Sequence, residues 1–288
     1  MKDRPALQII KDAIKKKQIE KGGTIVEGTA GNTGIGLCLV GNSIGLNSII
    51  VMPRTQSNEK KKMLKLCGAE LKLVDALPYK NPGNYIRYSE TLAKSIVNEH
   101  GVLWANQFDN LSNKKSHYLT TGPEIYKQLS QKVDAFICSI GTGGTISGVS
   151  DFLKEKNKNI VIGLADPMGS AMHNFYKNGK LKSTGSSITE GIGQGRITKN
   201  LENTVIDESF QITDTEALNI VYEMVRKEGL ILGGSSGVNI MGAVKLGKLI
   251  GPNKKIVTIL CDYGTKYESK IFNKKFLKDK ELPIPEWL

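Results

Sequence analysis

Short apolar, β-branched runs alternate along this chain with longer segments of helical period, and that rhythm prescribes helices layered on a mostly parallel sheet. Residues 6–17 have helical spacing, Gly22 and Gly23 break it, and 24–27 is a buried strand. A helix at 35–43, a strand at 48–52 closed by Pro53, a charged helix at 58–67 and a strand at 70–74 complete two successive βαβ units. A helix ending near 100, a strand at 102–104 and a helix at 122–129 follow. The second half repeats the pattern: strand 135–139, helix 145–154, strand 159–165, helices ending at 227 and 249, and a last strand at 255–260. Asp214 or Thr215 is expected to cap the first of those helices and Ser235 or Ser236 the second. Between them 168–203 is rich in Gly and Ser and lacks periodicity, so it reads as a long functional connection. The tail with Pro283 and Pro285 is expected to wrap the surface.

At 288 residues the chain can bury a substantial core in one large domain or two smaller ones. No apolar run reaches the length of a membrane span and no secretory h-region opens the chain, so a cytoplasmic protein without a membrane partner is expected. The net charge of +12 comes from lysines scattered over the sequence, with aromatics at only 6%. Nucleic-acid sites favour arginine and interleaved aromatics, so this balance reads as a solvated surface that also favours anionic small molecules. Cys38, Cys67, Cys138 and Cys261 are widely spaced on apolar segments, and His100, His117 and His173 lack ligand spacing. Buried free thiols and no metal site are the expectation.

Three turns share one layout, an apolar strand followed by small and hydroxyl residues and then a helix. Strand ends of this kind build the ligand crevice of an open parallel sheet. The first, after 24–27, holds Gly28, Thr29, Ala30, Gly31, Asn32 and Thr33. Small residues leave backbone N–H groups uncovered at a helix N-terminus, which suits a carboxylate or phosphate; the glycines alone are equally those of a tight turn with an Asn cap. The second holds Gly141, Thr142, Gly143, Gly144 and Thr145. It suits a terminal phosphate, although a glycine turn that merely brings helix and strand together looks similar. The P-loop lysine and the G-x-G-x-x-G spacing are both missing, which argues against nucleotide hydrolysis and against a dinucleotide oxidoreductase. The third holds Gly233, Gly234, Ser235, Ser236 and Gly237, where one serine can cap and the other can face the crevice.

In register with these turns stand Lys2-Asp3-Arg4-Pro5-Ala6, Asn106-Gln107-Phe108, Thr121-Gly122-Pro123-Glu124, Glu190-Gly191-Ile192-Gly193 and Asp262-Tyr263-Gly264. Together the motifs resemble the cysteine synthase and cystathionine β-synthase family of fold type II pyridoxal-phosphate enzymes, most nearly its bacterial cysteine synthases, over essentially the whole chain. The resemblance implies an α/β fold of two three-layer αβα subdomains with mostly parallel sheets, like the tryptophan synthase β chain. It assigns 1–20 and 121–288 to a large cofactor-binding subdomain and 21–120 to a small substrate-binding one.

By the same resemblance Lys2 is the Schiff-base lysine and general base, and Asn32 partners the 3-hydroxyl of pyridoxal 5'-phosphate. Gly141, Thr142, Gly143, Gly144 and Thr145 form the phosphate cup, and Ser235 bonds the pyridine nitrogen. Thr29, Gly31, Asn32, Thr33 and Gln107 receive the substrate carboxylate, and Gly191, Ile192 and Gly193 face the reacting carbon. Ala30 stands where the family commonly has Ser, which removes one hydroxyl and leaves the backbone donors. A neutral Ser at the ring nitrogen limits carbanion character and favours β-elimination, so the implied reaction replaces the β-substituent of O-acetylserine, or a similar β-substituted alanine, by sulfide to give L-cysteine.

Cystathionine β-synthase and cysteine desulfhydrase activities use the same residues and remain open, as does a non-catalytic paralogue or fragment. The implied partners are a second copy of the chain and a serine acetyltransferase. Relatives carry a few dozen residues ahead of the lysine that this sequence lacks, so weaker cofactor binding and activity than in full-length relatives are expected.

Overall fold

The computed structural model describes residues 2–288. They fall into two compact units, the first ending at Ser116 and the second running His117–Leu288.

In the first unit four strands, β1 (Thr24–Gly28), β2 (Asn47–Pro53), β3 (Glu70–Val74) and β4 (Val102–Trp104), form a sheet of order β3-β2-β1-β4. Every pairing is parallel, with Val26 opposite Ile49 on one side and Trp104 on the other. All five residues of β1 are buried, as a strand with neighbours on both edges and helices on its faces requires. Helix Asp3–Lys15 packs here through Ala6, Ile9, Ile10 and Ala13, whose i, i+3, i+4, i+7 spacing forms one apolar stripe. The stripe meets Ile19, Ile25, Leu37 and Leu103 in one core cluster. The sequence reading groups 1–20 with 121–288; these contacts place the helix with the first unit instead. A second cluster, Ile35, Cys38, Ile50, Met52, Leu64 and Cys67, fills the space under helices Asn32–Ser43 and Asn58–Leu66.

The second unit contains β5 (Ala135–Cys138), β6 (Val161–Pro167), β7 (Glu208–Ile212) and β8 (Ile256–Val257), ordered β7-β6-β5-β8 and again all parallel. β7 is not foreseen by the sequence reading. It is a half-buried edge strand, Glu-Ser-Phe-Gln-Ile, without the continuous apolar run of its neighbours. The strand expected at 255–260 shrinks to two residues, because beyond Val257 the Thr258 hydroxyl rather than a ladder bond holds the Ile137 carbonyl, at 2.7 Å. Within the 168–203 connection, helix Met172–Asn178 and a 3₁₀ turn at Lys199–Leu201 add regular structure.

Both expected helix caps move. Thr213, not Asp214 or Thr215, caps helix Asp214–Glu228 through a reciprocal capping box with Glu216. Gly233 caps helix Gly234–Ile250, because the Ser236 hydroxyl is taken by the Cys261 N–H at 2.9 Å and Ser235 lies inside the first turn. The tail does lie on its unit: Trp287 stands edge-on to Tyr222, and Leu282 and Leu288 pack on the cluster around Leu218, Val221 and Leu277. Among the described residues no helix is long and apolar enough to cross a membrane. All four cysteines are free, Cys38, Cys67 and Cys138 buried and Cys261 partly so.

Helices Asp214–Glu228 and Gly234–Ile250 approach so closely that a Cβ on Gly237 would fall 2.2 Å from the Ala217 carbonyl oxygen. Backbone cannot yield as a side chain does, so we expect Gly237→Ala to lower unfolding free energy by about 1–3 kcal/mol, measured by chemical denaturation. An unchanged midpoint would show that the two helices part without cost.

Candidate active site

In the first unit the site residues gather at the carboxyl end of β1, where the strand turns into helix Asn32–Ser43. Gly31 takes φ = 130° and a Cβ there would lie 2.7 Å from Cδ of Lys60, a lysine only 1% exposed. Only glycine serves at that position. Thr29 steadies the turn from beneath: its N–H donates to Val51 O, and its hydroxyl accepts the Gly31 N–H at 3.1 Å. Asn32, half-buried, is the first residue of the helix. Thr33 donates its hydroxyl to Oε1 of Gln107 at 2.5 Å, and Gln107 donates through Nε2 to Gly28 O at 3.3 Å. Thr29, Gly31, Asn32, Thr33 and Gln107, expected together, are thus brought together.

Lys2 immediately precedes helix Asp3–Lys15, and its carbonyl accepts the Ala6 N–H at 3.1 Å. The buried stripe from Ala6 to Ala13 anchors the backbone that carries it. Its charge reaches Glu27 of β1, a fully buried carboxyl that burial pushes up to about 8, while hydrogen bonds from Gln107 and Asn106 and the positive Lys2 pull it back.

In the second unit β5 ends in the small-residue turn. Gly143 adopts the left-handed conformation (φ = 88°) as N-cap of helix Gly144–Lys156, so the first N–H groups of a 13-residue helix open onto the turn. Thr142 is buried and its hydroxyl accepts weakly from Gly144 N–H at 3.4 Å. Thr145 is bonded through its hydroxyl to Nε2 of His117 at 3.2 Å, and Nδ1 of the same ring meets the Thr121 hydroxyl at 2.8 Å. His117 is completely buried at the head of a π-helical turn, His117–Thr121. Ser235 is 5% exposed and makes no side-chain hydrogen bond among the described residues.

The 187–198 loop is laced to this turn. Gly193 N–H donates to Ile140 O at 2.9 Å, Gln194 Nε2 to Gly141 O at 3.1 Å, and the Thr198 hydroxyl to Thr142 O at 2.8 Å. Gly191 and Gly193 have φ of 81° and 85° and are exposed, while Ile192 between them packs on the Val238 and Leu246 core. Near its start the loop is held by the Ser187 hydroxyl donating to Asp214 at 2.5 Å and by an ion pair of Glu190 with Lys270.

Several residues of this architecture escape sequence reading. Glu27 and Asp166 carried one available signal, a carboxylate ending an otherwise apolar strand. His117, Gln194 and Thr198 carried none, since each acts through a partner at least 28 positions away.

A sequence model of the family described as "Pyridoxal-phosphate dependent enzyme" matches residues 1–262. Cysteine synthase 1 of Neurospora crassa is 45% identical over 295 residues, covering 100% of this chain and 78% of that protein. Cysteine synthase B of Campylobacter jejuni is 39% identical over 270 residues, covering 93% of this chain and 86% of that protein. Among solved structures, an O-acetylserine dependent cystathionine β-synthase from Helicobacter pylori superposes with TM-score 0.85 at 32% identity, covering 94% of this chain and 84% of that one. An O-ureido-L-serine synthase gives 0.84 at 27%, covering 95% and 84%.

Asp166, at the end of β6, holds the far side of the loop. Its Oδ2 accepts His173 N–H at 2.8 Å at the head of helix Met172–Asn178, while Ser170 accepts Gln194 N–H at 3.0 Å. Among the described residues Oδ1 is buried without a hydrogen bond. Burial pushes the carboxyl up to about 6, against the opposing hydrogen bonds from His173, Ser170 and Met172. A raised folded-state value means stability that is full below the unfolded value near 3.8 and is lost as pH rises through about 6. An amide keeps one acceptor oxygen and cannot ionise, so relative to Asp166→Asn the native chain should lose about 2–3 kcal/mol between about pH 4 and 7. Denaturant titrations of both proteins across that range measure it, and a difference independent of pH would refute it.

Proposed function

The chain belongs to the pyridoxal-phosphate-dependent enzyme family, and from that premise we propose that it forms L-cysteine by β-replacement, exchanging the β-substituent of O-acetylserine or a similar β-substituted alanine for sulfide. The observation that carries the reading is the identity to cysteine synthases over the full chain, together with a site in each unit whose residues suit the parts of such a reaction.

The second unit fits a phosphorylated pyridine cofactor. Its small-residue turn at the head of helix Gly144–Lys156 leaves backbone donors uncovered, which suits a phosphate held by Gly141, Thr142, Gly143, Gly144 and Thr145. Ser235, without another side-chain bond among the described residues, is assigned to the ring nitrogen, and Asn32, on the family resemblance, to the ring hydroxyl. When bound, pyridoxal 5'-phosphate supplies the electron sink that acidifies the substrate α-carbon. Lys2 is assigned as the residue that links the cofactor and as the base that takes the α-proton at Nζ. Thr29, Gly31, Asn32, Thr33 and Gln107 orient the substrate by its carboxylate, through backbone N–H groups at the helix head and the Thr33 and Gln107 side chains. Gly191, Ile192 and Gly193 form the wall assigned to the reacting carbon, and excluding water there is their contribution.

A thiol amino acid as acceptor in place of sulfide is the second reading, favoured by the structural likeness to an O-acetylserine dependent cystathionine β-synthase. A homodimer and a complex with a serine acetyltransferase belong to the proposal on family membership alone, and a cytoplasmic location on the four free thiols.

We expect the chain mixed with pyridoxal 5'-phosphate to show the visible absorbance of lysine-bound cofactor and to make cysteine from O-acetylserine and sulfide. Lys2→Ala should lose that absorbance and reduce turnover by about 10²–10⁴-fold or more. Absence of cysteine with sulfide, but product with homocysteine, would move the assignment to the second reading. An unchanged spectrum in Lys2→Ala would remove the role given to Lys2.

A further inference from the structure

Glu27 occupies an improbable place for a carboxyl, the interior of β1, with β2 and β4 on either side and Ile50 opposite in register. It is 1% exposed. A carboxyl taken so far from water is costly unless its oxygens are satisfied, and here the donors come from one place, the turn that follows β4. Gln107 N–H donates to Oε2 at 3.4 Å and the Asn106 N–H also bonds the carboxyl. Asn106 needs such a hold. It sits in the left-handed region at φ = 48°, and its own Oδ1 is buried without a hydrogen bond among the described residues. Non-glycine residues in that region persist where their surroundings fix them.

The next link leads to the substrate turn. Gln107, whose backbone Glu27 grips, presents Oε1 to the Thr33 hydroxyl at 2.5 Å and Nε2 to Gly28 O, and its carbonyl is held by Asn113 Nδ2 at 2.8 Å. Carboxyl, turn, carboxamide and helix head therefore form one chain of bonds across the carboxyl end of the sheet.

We propose that Glu27 is a positioning residue: its carboxyl clamps the left-handed Asn106–Gln107 turn, sets the Gln107 carboxamide against Thr33, and thereby controls affinity for the substrate's carboxylate. This rests on the reading of Thr33 and Gln107 as carboxylate-receiving residues. The groups that face the carboxyl are the backbone amides of Gln107 and Asn106, the Gln107 carboxamide and the charge of Lys2, and burial outweighs them, pushing the carboxyl up to about 8.

The test uses the cofactor-loaded protein with Glu27→Ala and Glu27→Gln. Cofactor absorbance should be unchanged in both. KM for O-acetylserine should rise about tenfold in Glu27→Ala with kcat within about threefold, and Glu27→Gln, which keeps an oxygen for the two amides, should return KM to within about threefold. An unaltered KM in Glu27→Ala, or a Glu27→Gln protein as impaired as Glu27→Ala, would overturn the proposal. A second measurement needs neither turnover nor the alanine variant to fold: the backbone amide resonance of Gln107 should shift with pH around about 8 in the native chain and stay still in Glu27→Gln. The same resonance behaving alike in both proteins would also overturn it. Should the native chain neither load cofactor nor turn over, the β-replacement reading fails, and the Gln107 resonance still decides the role of Glu27.

Discussion

Parallel strands must all be entered from the same end, so every strand in such a sheet leaves at the opposite edge and hands over to a helix there. This constraint of chain direction underlies all that each unit does. In the first unit it puts the Thr29–Thr33 turn and the Asn106–Gln107 turn at the carboxyl ends of β1 and β4, which are neighbours in the sheet. In the second it puts the 141–145 turn at the end of β5 and Asp166 at the end of its neighbour β6. Side chains 74 or more positions apart in sequence become hydrogen-bonded pairs because adjacent strands stop side by side, as with Thr33 and Gln107. Helix N-termini arrive at the same edges with N–H groups that have no partner within the helix, so chain direction favours anions there before any side chain is chosen.

Much of this was legible. Each apolar run that forms a doubly flanked strand was found, because a strand buried on both faces is apolar throughout. What escaped were elements whose burial is lopsided. β7 pairs on one edge only and alternates Ser, Phe and Gln, and β8 stops after two residues where a threonine hydroxyl takes over from the ladder. The serines of the third turn misled for a related reason. A serine ahead of a helix is usually its cap, but Ser236 has a better bond to Cys261 N–H, and that preference depends on a segment 25 residues away. Candidate ligand positions come from local composition at the three turns and, for Lys2, Gln107, Gly191, Ile192 and Gly193, from the family resemblance. Their supports His117, Gln194 and Thr198 depend on who the neighbour is, which no local pattern encodes.

Both units place an acid where an apolar residue would fold more easily. Glu27 in β1 and Asp166 at the end of β6 each gather N–H groups from a turn belonging to another segment. Each carboxyl is pushed up by burial, so near neutral pH each costs stability relative to an unfolded chain in which it ionises freely. Two such groups in comparable positions fit an economy in which rigidity of the turns proposed to face ligand is kept at the expense of the core. Glycine works in the opposite sense at Gly31 and Gly143, where the backbone bends into conformations that no side chain would hold for it.

The buried ring of His117 has a further consequence, because in its neutral form an imidazole has one proton to share between two threonine hydroxyls. One nitrogen must give and the other must take, so the Thr121, His117 and Thr145 series has a polarity. If Nε2 holds the proton, the Thr145 oxygen accepts it and its own hydrogen is released toward the turn, where the proposed phosphate would meet it. If Nδ1 holds it, Thr145 spends that hydrogen on the ring and meets the anion with lone pairs alone. The tautomer of a histidine sealed from solvent thus sets the sign of a dipole at the mouth of the turn.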